Sequence, residues 1–220
     1  MADEVAVDTD VLLKASAYRV AIELVSALSS YGRVAALGLT HIIALSQMSR
    51  LRHLANRGEA VAQLTLLLGM LERLEPDDSE ISLAADLATT AQQRGLPLDT
   101  GEAQIVSIVV NRGLPLMVTG DKRAIRALAS LLAGSSLKGA LIERIASFEQ
   151  LLLTIGGIVG EETLRERICA EPQVDNAMRL ACSCGRDDWD PAQLHEACGS
   201  YVEATRRDAD SLLRLGSALT

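Results

Sequence analysis

Three short apolar runs, residues 5–8, 34–39 and 114–119, are separated by long stretches whose apolar residues recur with helical spacing. A short aliphatic run bounded by turn signals reads as a buried strand. Parallel partners need helix-length crossovers between them, because a tight turn cannot return the chain in the same direction. The alternation therefore predicts an α/β fold with a central parallel sheet.

Helical spacing predicts helices over residues 11–28, 40–56, 59–74, 80–94, 100–112 and 121–133. Pro76-Asp77-Asp78-Ser79 places acids in a first helical turn, where free amides and the helix dipole favour them. Gly134-Ser135-Ser136 is the strongest boundary signal. It divides the chain into an α/β domain over 1–133 and an all-helical C-terminal region over 138–220. In that region helical patterns cover 141–155, 161–170, 175–181 and 191–215. The last of these is amphipathic, suited to packing on the first domain or to meeting a second copy or a protein partner.

Apolar residues make up 49% of the 220 residues but aromatics only 2%, so the core must be aliphatic. With 29 acids against 21 Lys and Arg, the net charge of −8 argues against coating nucleic acid by bulk charge. The scarcity of aromatics argues against stacking platforms for single strands. Asp3 and Glu4 stand where a secretory signal would carry basic residues, and the apolar stretch 151–160 is too short to span a bilayer. The expectation is a cytoplasmic protein with no membrane partner, in which Cys169, Cys182, Cys184 and Cys198 are unpaired. Cys182-Ser183-Cys184 with His195 and Cys198 fits zinc-knuckle spacing poorly, and the cysteines read as small buried residues.

Functional groups gather where parallel strands end. Asp8 closes the first strand, Asp121 follows the third by two residues, and Glu102 lies in the first turn of the helix before it. Each acid alone is explained as a helix cap. Together they would converge on one sheet edge and repel one another unless a divalent cation bound them; hard oxygen ligands select Mg²⁺ or Mn²⁺. Such a cluster suits in-line phosphodiester hydrolysis, and the cation would restore local attraction for phosphate despite the acidic balance.

Three segments carry a family resemblance. Val7-Asp8-Thr9-Asp10-Val11-Leu12-Leu13 resembles the opening strand of PIN-domain ribonucleases. Asp99-Thr100-Gly101-Glu102-Ala103 resembles their central signature, and Leu116-Met117-Val118-Thr119-Gly120-Asp121 their closing strand. The resemblance covers about residues 4–133. It implies a three-layer α/β/α domain and a metal-dependent ribonuclease acting on single-stranded RNA, often a toxin of a toxin–antitoxin pair. It maps Asp8, Glu102 and Asp121 onto metal-binding catalytic acids, Thr9 onto a nearby substrate-binding position, and leaves Asp10 as an additional ligand.

The family usually carries another acid on the helix after the second strand, whereas residues 39–47 contain neither Asp nor Glu. Ser46 or Gln47 takes that slot, His41 does different work, or Glu72 or Glu75 supplies the charge from elsewhere. A PIN-like binding module with weakened catalysis is therefore the alternative. Asp8-Thr9-Asp10 also resembles the nucleophile motif of haloacid-dehalogenase-type phosphatases, with Asp8 attacking and Asp10 as acid/base. The lysine and further acid which that chemistry needs are absent from the expected places. RNA would require cations for its backbone. Lys122 and Arg123, with Arg126 on the same helix, are favoured over the cluster of Arg50, Arg52, His53 and Arg57.

Overall fold

The computed structural model describes residues 3–51, 53–209 and 211–219. Its sheet has five strands: β1 (Glu4–Val7), β2 (Arg33–Leu37), β3 (Glu72–Leu74), β4 (Leu116–Thr119) and β5 (Ile145–Ser147), in the order β3-β2-β1-β4-β5. Every neighbouring pair is parallel. Between the strands run α1 (Thr9–Ala17), α2 (Ala21–Leu28), α3 (Gly38–Arg50), α4 (Arg57–Met70), α5 (Asp78–Gln93), α6 (Thr100–Arg112) and α7 (Lys122–Leu131). After β5 come α8 (Phe148–Val159), α9 (Glu161–Ala170), α10 (Asn176–Ala181) and α11 (Pro191–Asp208). The predicted α/β class with a parallel sheet is observed.

The strands read as near-continuous apolar runs because both sheet faces are covered. Val5, Val7, Leu116 and Val118 join one buried cluster with α1, α2, α4 and α8. The alternate residues Ala6, Ala35, Met117 and Ile145 join a second cluster with α5, α6 and α7. Local chemistry sets the helix starts. Asp77 with Glu80, and Asp99 with Glu102, form reciprocal capping boxes opening α5 and α6. Gly113 ends α6 at φ 67°, a left-handed conformation that favours glycine.

Several expectations are corrected. The predicted helix 11–28 is two helices, broken at Tyr18–Val20, where Arg19 has φ 59° and its carbonyl accepts from Arg167 at 2.7 Å. The stretch 59–74 ends in β3 rather than in helix. The region 138–220 is not all-helical, because β5 adds an edge strand to the sheet beside β4. Three residues are too few to show a period, and Ser147 immediately caps α8, so the strand was hidden inside an apparent helix. The helix predicted to reach 215 stops at Asp208. Leu212 to Arg214 instead lie along the open edge of β5, with Ile145 N–H donating to Leu212 O and Arg214 N–H to Ile145 O. Covering that edge shields its backbone groups from pairing with another chain.

The cysteine expectation is also corrected. Cys169, near the end of α9, and Cys184, after α10, are joined in a disulfide, with Cα atoms 5.2 Å apart. Cys182 and Cys198 are free and buried. Burial pushes the Cys182 thiol up to about 12. Among the described residues, no helix is long and apolar enough to cross a membrane.

One core cluster combines residues of β1, α1, α2 and α4 with α8, α9 and α11. Leu152 of α8 is fully buried in it. Leu152→Ala is expected to lower stability by roughly 2–5 kcal/mol. In urea, far-UV circular dichroism and Trp189 fluorescence should report one coincident transition; two separated transitions would show the regions folding independently.

Candidate functional site

The site is built from the pairing of β1 with β4. Val7 stands opposite Val118 in the parallel register, and Asp8 N–H donates to Val118 O at 3.0 Å, so the two strands end side by side. Asp8 then leads into α1, and Asp121 caps α7 just beyond β4. Thr119 joins them: its hydroxyl donates to Asp8 Oδ2 at 3.3 Å and accepts from Asp121 N–H at 3.1 Å. Glu102 reaches the same place from the first turn of α6 and is only 7% exposed. Asp8, Glu102 and Asp121 line one cleft of about 820 Å³. Gly120 lets the Asp10 carboxylate lie close against the backbone, where a Cβ would push it aside.

The three acids differ in what else they do. Asp121 accepts from Arg123 N–H at 2.7 Å and Ala124 N–H at 3.3 Å, and pairs with the Arg123 guanidinium at 2.9 Å. Glu102 accepts from Asp99 N–H at 2.9 Å within the capping box. Asp8 occupies the cap position of α1 but makes no side-chain cap hydrogen bond. Capping therefore accounts for much of Asp121 and Glu102, and leaves Asp8 unexplained.

Electrostatics separates them further. Burial, followed by the charge of Asp10, pushes the Asp8 carboxyl up to about 6, with Thr9 N–H and the Thr119 hydroxyl opposing. Burial pushes Glu102 up to about 7; Asp99 N–H opposes, while the charges of Asp99, Asp121 and Asp8 add to the rise. For Asp121, burial works upward but is outweighed by the hydrogen bonds from Arg123 and Ala124, which hold it below the usual range. Among the described residues neither Asp8 nor Glu102 forms an ion pair; the nearby Arg123 guanidinium feels the charge of Glu102 but is itself paired with Asp121.

The other expected residues are distributed unevenly. Thr9 lines the cleft, and its hydroxyl shares a 2.8 Å hydrogen bond with Thr40. Asp10 lines it too, paired with Lys14 at 2.8 Å; Lys14 also pairs with Asp175 at 2.8 Å. Lys122, Arg123 and Arg126 all border the cleft. Lys122 pairs with the buried Glu149, and Arg126 with Asp208 at 2.9 Å. Gln47 lines the cleft, whereas Ser46 and His41 do not. Glu75 packs against Gly38 at the start of α3, and Glu72 pairs with Arg33 at 2.6 Å; neither lines the cleft. Of the second basic cluster, Arg52 lies outside the described residues, and Arg57 donates to Leu51 O at 3.0 Å.

Sequence reasoning missed Asp99, Lys14 and Asp175 as cleft residues. Asp99 carried a signal, since an acid three residues before Glu102 completes a capping box. Asp175 carried none, because only tertiary packing brings it to Lys14.

The donor set fits a hard divalent cation: carboxylate oxygens from Asp8, Glu102 and Asp121, with Asp10 and Asp99 nearby, two of the acids raised chiefly by burial and further by neighbouring carboxylates. Among the described residues no group of three or more His, Cys, Asp or Glu is already arranged to hold a metal ion. The acids share a cleft without forming a closed cage.

Both raised carboxyls hold protons in the folded chain that the unfolded chain has released, across roughly pH 4 to 7. Stability should therefore fall as pH rises through that window. In metal-free buffer Asp8→Asn removes one repelling charge. Its melting temperature is expected to exceed the parent's by roughly 2–4 °C at pH 8 and to converge with it only below about pH 4, by thermal circular dichroism. A constant difference at all pH values would show that Asp8 is not strained by burial and like charge.

No family model, curated protein or solved structure matches this chain, so its function is argued from the geometry of the cleft.

Proposed function

We propose that the chain is a divalent-metal-dependent ribonuclease of PIN-like, three-layer build, hydrolysing phosphodiester bonds of single-stranded RNA. The observation that carries this reading is the meeting of Asp8, Glu102 and Asp121 in one cleft at the carboxyl edge of a parallel sheet, with neither Asp8 nor Glu102 in an ion pair among the described residues. Helices against both sheet faces support the three-layer description.

Asp8, Glu102 and Asp121 would hold Mg²⁺ or Mn²⁺, and Asp10 lies close enough in the cleft to contribute. When bound, the ion supplies an activated water and stabilises the leaving oxygen. Binding requires Asp8 and Glu102 to be ionised, so metal affinity should rise as pH passes about 6 to 7. Arg123 at the start of α7 stands ready to exchange its pairing with Asp121 for a substrate phosphate. Lys122, held by Glu149, contributes positive potential at the rim. The Thr9–Thr40 hydroxyl pair offers neutral hydrogen bonding at the cleft floor.

A second reading, a PIN-like binding module, is favoured by one observation: the neutral Gln47 lines the cleft where an acid would complete the set.

With Mn²⁺ and a fluorescent single-stranded RNA, the parent chain should cleave, EDTA should abolish cleavage, and Asp8→Asn or Asp121→Asn should lower the rate by roughly 100-fold or more. Cleavage persisting unchanged in both variants would overturn the assignment. Mn²⁺ that stabilises the parent but not Asp8→Asn, with no cleavage, would establish the binding module instead.

A further inference from the structure

Beside the acidic cleft lies a smaller slot of about 120 Å³. Leu13, Leu51, Leu54 and Val174 form its apolar walls, and His53 and Gln173 supply polar groups. Asp10, Leu13 and Lys14 line both spaces, so slot and cleft are continuous. We propose that this slot is a nucleobase subsite, receiving one base of a single-stranded RNA whose phosphate lies in the acidic cleft. The inference rests on the ribonuclease reading of that cleft.

The chemistry of the lining selects the occupant. A phosphate or carboxylate would be desolvated against leucine and valine, and Lys14, the one Lys or Arg among the described residues lining the slot, is already paired with Asp10 and Asp175. A flat, uncharged ring with apolar faces and a polar edge suits the slot. The walls cover its faces, while His53 and the Gln173 amide, which both donates and accepts, meet its edge. The volume is well below the roughly 300 Å³ of pockets for larger ligands. It admits a ring system, not a whole nucleotide.

The slot is also held in shape. Its walls include Leu51, His53 and Leu54 on one side and Gln173 and Val174 on the other, which are distant in sequence. Glu171, 1% exposed, fastens them by accepting from Ala55 N–H at 2.7 Å and Asn56 N–H at 2.6 Å. Asp175 anchors the other side through Lys14, and the Cys169–Cys184 disulfide closes the stretch carrying both acids. A preformed slot of this kind reads a base without losing much entropy on binding.

The test measures binding of short homopolymers of A, C, G and U to the full chain in Ca²⁺, a hard cation that takes carboxylate and phosphate oxygens, by fluorescence anisotropy, and cleavage of the same RNAs in Mn²⁺. One homopolymer should bind roughly tenfold tighter than the poorest. His53→Ala/Gln173→Ala should level the four affinities without shifting the melting temperature, since both side chains are exposed. Val174→Phe, which plugs the slot, should level them as well. Equal affinities in the parent, or a preference surviving both variants, would overturn the subsite. Cleavage without base preference overturns the slot alone, and base preference without cleavage overturns the ribonuclease reading alone. No RNA binding at all overturns both.

Discussion

The parallel pairing of β1 with β4 is the constraint on which the rest of the structure depends. It joins strands separated by more than half of the described chain, and it ends both at the same level. Asp8, Thr119 and Asp121 then fall at one edge, tied together by the Thr119 hydroxyl. Both strands are buried on both faces, so a slip of register would expose apolar residues and displace the acids together. The position of the acids is thus protected by the same burial that stabilises the sheet.

At that edge the fold keeps unbalanced charge. Most acids near helix starts are used up by local hydrogen bonds, as Asp77 is, and Asp121 is partly so. Asp8 and Glu102 instead carry the cost of burial and of neighbouring carboxylates, which raises both. Such strain persists where surrounding structure overdetermines it, and it is the usual mark of a site awaiting a positive ligand. The cations of α7 stand at the rim, each already engaged with an acid, so the cleft is acidic inside and balanced at its border.

The chain after residue 138 is part of this arrangement. It supplies the edge strand β5, covers that edge with residues 212–214, and sends Glu171 and Asp175 back to the turn after α3 and to Lys14. Gln150 secures the last segment by donating to Arg214 O and Gly216 O. These contacts wall the acidic cleft and the neighbouring apolar slot.

The sequence by itself determined the α/β class, the boundaries of α5, α6 and β4, and the acids Asp8, Glu102 and Asp121. Each of these rests on local patterns: aliphatic runs, helical spacing, caps and glycine stops. The sequence did not reveal β3 or β5, because strands of three residues show no period. The break at Arg19, held partly from α9 through Arg167, was equally silent, as was the Cys169–Cys184 bridge. Only the tertiary structure decided which charges remain unpaired. Pairing of Lys14 with Asp175, or of Glu171 with Ala55 and Asn56, depends on side chains brought together by packing across the whole chain, and no local spacing encodes it.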